Sequence, residues 1–235
     1  MKSHLKRLPS PKSWNIKRKG IKYITRPFPG GHPFKNSISI NTFMKVMIKK
    51  AKTTKEVKKI LYNSNILVDG TRVKEVKFLL GLMDTVSLVE AKKYYRIILN
   101  EKGQLDAIEI TEKESTIKPC QLTGKTNLKK GKIQLHCSDG RNITIDKDTY
   151  KVQDSVLISL PKQEIKEHFS FDKNSFVFFV NGKYVGKTAI IDDIKEDKII
   201  CKINNERIET LKKFAFIIGK EKSAITLENE SNANN

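Results

Sequence analysis

The first 37 residues carry ten Lys and Arg, no Asp or Glu, and five of the chain's seven prolines. A segment so composed cannot build a core by itself. Its like charges repel, its prolines remove backbone donors, and its apolar residues recur without a period. Its counter-charge has to come from a partner, and the commonest densely anionic one is a nucleic-acid backbone. The sequence therefore predicts a Pro/Gly-rich extended basic arm that orders only on binding. Trp14, Tyr23, Phe28 and Phe34 are interleaved with the cations. In that pattern flat rings stack on exposed bases while Lys and Arg meet phosphates. The candidate contacts here are Lys2, His4, Lys6, Arg7, Lys12, Trp14, Lys17, Arg18, Lys19 and Arg26. Trp14 is equally able to pack on the folded part of the chain.

The charge is polarised. Residues 1–37, 38–99, 100–170 and 171–235 carry net charges of +10, +8, +1 and +1, which make up the chain's +20. Such asymmetry reads as a binding half joined to a near-neutral scaffold half. An anionic membrane surface is the other partner that charge alone allows. No stretch, however, approaches the roughly 20 apolar residues of a spanning helix, and charges interrupt the first 20 positions, unlike a secretory signal. Three widely spaced cysteines, Cys120, Cys137 and Cys201, do not form a disulfide framework and fit a reducing, cytoplasmic setting.

Residues 42–63 are the one helical stretch that the pattern predicts. Phe43, Val46, Met47 and Ala51 recur at helical spacing, with Lys45, Lys49, Lys50 and Lys52 between them. Thr53 and Glu56 then fit a capping box. In the helix that follows, Val57, Ile60 and Leu61 lie on one side, and Lys55, Lys58 and Lys59 share the other. A solvated face normally mixes both signs; this one does not. Asp69-Gly70 between apolar runs predicts a tight hairpin, with Arg72 and Lys74 just beyond it. Lys45, Lys49, Lys52, Lys55, Lys58, Lys59, Arg72 and Lys74 complete the candidate RNA-binding set.

From residue 94 the pattern is β, with a short helical turn expected at Gln163–His168 and strands expected at Phe176–Val180, Tyr184–Gly186, Ala189–Ile191, Ile199–Ile203 and Phe214–Ile218. Strands at near ten-residue spacing predict a small barrel. Asp192-Asp193 reads as its exposed turn, and the polar tail from Glu221 as disordered. The expected architecture is α+β and multidomain. It comprises an arm (1–37), a small α+β module (38–99), a central β domain (100–170), a barrel (171–220) and a tail (221–235).

Several segments resemble, in order, the archaeal and eukaryotic small-subunit ribosomal protein S-four, "e" type. They are His4-Leu5-Lys6-Arg7, Pro11-Lys12 with Trp14, Arg26-Pro27, Pro29-Gly30-Gly31-His32-Pro33, Val68-Asp69-Gly70, Gly81-Leu82-Met83-Asp84, Asp139-Gly140-Arg141-Asn142, Leu157-Ile158-Ser159-Leu160-Pro161 and Phe216-Ile217-Ile218-Gly219-Lys220. Any one is weak, but together they are specific. The resemblance implies an S-four-type RNA-binding module, a C-terminal KOW/SH3-like domain, and a structural role on small-subunit rRNA beside neighbouring ribosomal proteins. Asn181 and Ala189 stand where the family's KOW turn usually has glycines, while Gly186 is kept.

Catalytic and metal signatures are weak. Gly124-Lys125-Thr126 lacks the glycine that a phosphate loop needs five positions earlier, where Pro119 stands. Cys120, His136 and Cys137 lack zinc-ligand spacing. No cofactor and no small-molecule substrate are expected. Two alternatives stay open: an rRNA-modifying enzyme, since pseudouridine synthases carry the same module, and a KOW-type transcription-associated protein.

Overall fold

A computed structural model describes residues 4–203 and 206–227. The chain forms two compact units, one of Met1–Ile98 with Gln104–Thr116, the other of Leu99–Gly103 with Ile117–Asn235. The fold is mostly β. No helix among the described residues is long and apolar enough to cross a membrane.

In the first unit the basic segment is folded, which corrects the expectation of an arm that orders only on binding. Strands β1 (Leu5–Lys6) and β2 (Tyr23–Ile24) pair antiparallel and close a loop. Strand β3 (Ser37–Ser39) leads into a single α-helical turn, α1 (Ile40–Thr42), capped by the Ser39 hydroxyl, which accepts from Thr42 N–H at 3.3 Å. The turn widens to π geometry over Phe43–Met47, with Ile48 N–H donating to Phe43 O at 3.2 Å. The wider turn moves the apolar register. Phe43, Met44 and Ala51 are buried, while Val46 and Met47, expected in the core, are half-buried.

Helix α2 (Thr54–Asn63) begins at the capping box and buries Val57 and Leu61. The Asp69-Gly70 turn joins β4 (Ile66–Val68) to β5 (Thr71–Arg72), with φ of +49° and +77° at its two residues, as such a hairpin needs. Strand β6 (Leu79–Gly81) pairs with β3. Strands β7 (Thr85–Leu88), β8 (Lys93–Leu99) and β9 (Leu105–Ile110) complete a sheet of order β5-β4-β7-β8-β9. The sheet thus runs past residue 99, where the sequence pattern ends the module. A short helix, α3 (Glu112–Ser115), follows, capped by Thr111. Sequence periodicity misses it because one turn shows no repeat. Its Glu114 pairs with Arg96, a side chain with no exposed surface.

Trp14 joins the basic segment to this core. It is 1% exposed, donates from Nε1 to Ser37 O at 2.6 Å, and bridges Leu105 in β9.

The second unit contains two five-stranded antiparallel sheets. The first has the order β12-β11-β10-β13-β14, from β10 (Ile117–Asn127), β11 (Ile133–Cys137), β12 (Asn142–Ile145), β13 (Ser155–Ser159) and β14 (Ile165–Phe169). Strand β14 occupies the place of the expected helical turn, as the return strand of a hairpin with Gln163 at φ +62°. Gly124-Lys125-Thr126 is extended within β10, so it is no phosphate loop. The second sheet has the order β18-β17-β16-β15-β19, from β15 (Phe176–Phe179), β16 (Thr188–Lys195), β17 (Lys198–Ile203), β18 (Glu206–Leu211) and β19 (Ala215–Gly219).

The edge strand β18 is charged and buries only Ile208 to a low exposure, which hides it from apolar patterning. Asp192 and Asp193 lie within β16 at a bulge, rather than in a turn. Tyr184–Gly186, expected as a strand, is a turn. Gly186 there has φ +79°, and an added Cβ would come within 2.3 Å of Asn100 O. Of the tail, residues 228–235 lie outside the described residues, while Ile225 is buried.

Lys118 on β10 and Arg141, in the turn between β11 and β12, both donate to Asp139 Oδ2 at 3.0 Å, and Lys118 is 1% exposed. Burial alone would raise the Asp139 pKa. The adjacent Lys118 charge and hydrogen bond, with Arg141, outweigh it and hold the carboxyl below its ordinary value.

Two outcomes follow from this packing. Trp14→Ala is expected to cost the first unit about 3–5 kcal/mol, and deletion of residues 1–37 to unfold it, both read from urea unfolding by circular dichroism. The lowered Asp139 pKa stabilises the second unit above the unfolded carboxyl pKa. That contribution is lost as pH falls from about 4 through the folded value, and Asp139→Asn is expected to flatten this acid limb.

Candidate nucleic-acid interface

The charged face of α2 is set up by its N-terminal cap. The Thr53 hydroxyl accepts from Glu56 N–H at 3.2 Å and donates to Glu56 Oε1 at 2.9 Å. Glu56 Oε2 accepts from the backbone N–H groups of Lys52 at 2.8 Å and Thr53 at 3.4 Å. The Lys52 N–H first, then the Thr53 hydroxyl, hold the Glu56 carboxyl below its ordinary pKa. The helix's only acid is therefore turned back onto its own N-terminus. Lys55, Lys58 and Lys59 are all exposed on the face opposite Val57 and Leu61.

None of the ion pairs seen among the described residues uses those three lysines. The second unit behaves differently. Lys118, Lys125, Lys132, Arg141, Lys173, Lys198, Lys202 and Arg207 each meet a carboxylate there. Apart from the buried Lys118–Asp139–Arg141 group, these are exposed pairs, which add little stability but cancel the field where they stand. What sets α2 apart is that its three exposed lysines share one face while its one acid is turned away to the cap, and a face of one sign attracts polyanions.

The other candidates divide into three groups. Lys6, Lys12, Lys17, Lys19, Lys49 and Lys52 are exposed, Lys45 is half-buried, and His4 is exposed with its ring 5.7 Å from that of Tyr23. Lys2 lies outside the described residues.

Arg7 and Arg18 are turned inward. Arg7 donates to Ile21 O at 3.0 Å and Lys17 O at 2.9 Å. Arg18 donates to the carbonyls of Leu8, Ser10 and Pro11 at 2.8–3.1 Å, and to Ser10 Oγ. Their guanidinium groups fasten the loop between β1 and β2. Arg26 is half-buried, 5.8 Å from the Phe34 ring centroid.

Trp14 is the clearest correction. Buried against Ser37 and Leu105, it presents no face on which a base could stack.

The third group lies where α2 ends. Arg72 donates to Tyr62 O at 3.4 Å, and Lys74 Nζ is 5.8 Å from the Tyr62 ring centroid. Tyr62 carries no charge, so the lysine pattern does not single it out, although its spacing from Lys55 marks the same helix face. Lys77, which no local sequence pattern marks, lies 5.3 Å from the exposed Phe28 ring. That contact depends on a backbone bond from Phe28 N–H to Lys77 O, 2.8 Å long and far from local in sequence.

Two sequence motifs meet at His32. His32 Nε2 and Asp84 Oδ1 are 2.8 Å apart, and Asp84 Oδ2 accepts from Gly81 N–H at 2.7 Å. A Cβ on Gly81 would fall 2.1 Å from the His32 ring. The Pro/Gly-rich run and the Gly-Leu-Met-Asp run are therefore two halves of one clamp that ties the basic segment to β6.

Among the described residues no group of three or more His, Cys, Asp or Glu is placed to hold a metal ion. His136 engages Thr126 at 2.8 Å and Asn142 at 2.7 Å through its two ring nitrogens, and Cys120 and Cys137 are buried in the second unit's core.

A mostly β chain with one single-sign cationic helix face falls in the class of basic, polyanion-binding proteins. Comparison with known proteins narrows this. The family described as "Ribosomal family S4e" matches residues 91–165, and the "RS4NT (NUC023) domain" matches residues 1–35. The protein named small ribosomal subunit protein eS4 of Methanocaldococcus jannaschii is 38% identical, over 96% of this chain and 98% of its own. The protein of that name from Methanocella arvoryzae is 31% identical over 95% of this chain and 97% of its own. The crystal structure of the 30S ribosomal protein S4e from Thermoplasma acidophilum superposes with a TM-score of 0.71 at 25% identity, covering 82% of this chain and 99% of that one. The chain belongs to the S4e family of ribosomal proteins.

Arg18→Lys is expected to free the loop between β1 and β2, because one ammonium cannot reproduce the guanidinium's fork of donors. The check is amide hydrogen exchange, which should quicken over residues 8–18 while α2 stays protected.

Proposed function

We propose that the chain is a non-catalytic structural constituent of the small ribosomal subunit, and that it binds folded rRNA through the basic face of its first unit. One observation carries this reading. Lys55, Lys58 and Lys59 share one exposed face of α2, and the helix's one acid, Glu56, is committed to the N-terminal cap and not to them. Leaving Lys55, Lys58 and Lys59 uncompensated has an electrostatic cost in the free protein, and a phosphate backbone relieves it while releasing counterions.

On this reading Lys6, Lys12, Lys17, Lys19, Lys45, Lys49, Lys52, Arg72 and Lys74 extend the phosphate-tracking surface. Arg7, Arg18 and Trp14 hold it in shape from within. Residues 38–99 with β9 act as an S-four-type RNA-binding module. Residues 171–220 are a KOW/SH3-like domain, which five short antiparallel strands support. The near-neutral second unit is scaffold and faces neighbouring ribosomal proteins. The setting is the cytoplasmic ribosome, with no membrane, cofactor or small substrate involved.

The test has two arms. A lysate is sedimented through a sucrose gradient after a moderate-salt wash. Stoichiometric recovery in the small-subunit peak is the expected result, and recovery only in soluble fractions would overturn the role. In the second arm Lys55, Lys58 and Lys59 are all changed to Glu. Affinity for small-subunit rRNA should fall, and the slope of log K against log[salt] should flatten by about 2–3. Unchanged binding by a folded variant would remove the helix face from the interface.

A further inference from the structure

We propose that Tyr62 is a stacking platform for one unpaired nucleobase of the RNA held along α2. This rests on the reading above and specifies which part of the RNA the site takes. Tyr62 follows Lys55 by seven residues, Lys58 by four and Lys59 by three. Helical spacing therefore places it on the same face, at the end of the lysine row. Its side chain is 73% exposed, while its neighbour Leu61 is fully buried. Two more cations reach it from the segment around β5: Lys74 Nζ at 5.8 Å from the ring centroid, and Arg72, which donates to Tyr62 O.

A lone exposed tyrosine needs no explanation. Tyr62 differs because cations approach it from two elements and a row of one sign leads to it. Phosphates held by the lysines on one side and by Arg72 or Lys74 on the other would bracket a nucleotide over a flat ring. In the free protein the Lys74 ammonium occupies that place by a cation–π contact. An arriving base would take the ring and leave the ammonium for a phosphate. Bases inside a continuous duplex are already stacked on one another, so the ligand is a loop, bulge or strand end.

The experiment measures binding of the full chain to small-subunit rRNA across a salt series. It compares wild type with Tyr62→Ala, Tyr62→Gln, Tyr62→Phe and the triple Lys-to-Glu variant, each checked for a native thermal transition. Stacking releases no counterions. Loss of the ring should therefore weaken binding about tenfold or more at every salt concentration with an unchanged slope, and Tyr62→Phe should retain wild-type affinity. Wild-type binding by the Ala and Gln variants overturns the proposal. So does a loss accompanied by a flattened slope, since Tyr62 would then be positioning the lysines. If the triple variant alone is impaired, the platform fails and the basic-face reading stands. If the triple variant also binds normally, both fall together.

Discussion

Trp14 is the interaction on which the first unit depends. A stretch with ten cations and no acid has every electrostatic reason to stay apart from a module that is itself basic. What holds it there is apolar and directional: an indole almost wholly removed from water, with its one donor spent on Ser37 O and its backbone bridged to Leu105. Burying a large ring offers several kcal/mol, enough to offset diffuse repulsion that salt and water already screen. The guanidinium groups of Arg7 and Arg18 add to this by turning inward onto carbonyls, which spends two of the charges as internal donors. The His32–Asp84 contact fixes the far end of the segment.

With the segment pinned, the division of labour between the units has a simple electrostatic form. From residue 100 onward the charges nearly balance in number. The second unit sets exposed pairs such as Lys173–Asp193 and Lys202–Asp192 along β16, and buries one Lys118–Asp139 contact where burial demands pairing. The first unit spends its acids on structure: Glu56 on a helix cap, Asp84 on a clamp, Asp69 on Thr85, and Glu114 on a buried arginine. Each of these carboxylates is committed to a backbone or an interior partner, so none serves the surface lysines. Glu109 does meet the exposed Lys93, but none of these four acids is left to screen the lysines of α2.

Features that depend on a few adjacent residues were legible in the sequence: the Thr53–Glu56 box, the Asp69-Gly70 turn, the apolar stripe of Val57 and Leu61, and the lysines opposite it. The features that depend on distant partners were not. Nothing near Trp14 shows that Leu105 will lie beside it, so a core residue read equally well as a base-stacking one. The π-turn at Phe43–Met47 defeated a 3.6-residue template by exchanging Met44 for Val46 and Met47 in the core. Strand β18 hid behind its charges, and β9 was assigned to the following domain because a strand's alternation does not say which sheet it joins. Arg7 and Arg18 illustrate the same limit. An arginine's composition is the same whether its guanidinium meets a phosphate or a carbonyl.

The place of Leu105 in this architecture also governs when the first unit can be completed. Trp14 and its partner are separated by 91 residues, and a chain elongating at roughly 5–20 residues per second needs about 5–18 s to deliver the second after the first. Over that interval the nascent basic segment has emerged without its anchor, free to be captured by any polyanion within reach. Because Lys6, Lys12, Lys17 and Lys19 stay exposed once Trp14 is buried, contact with a polyanion made in that interval is compatible with the later packing.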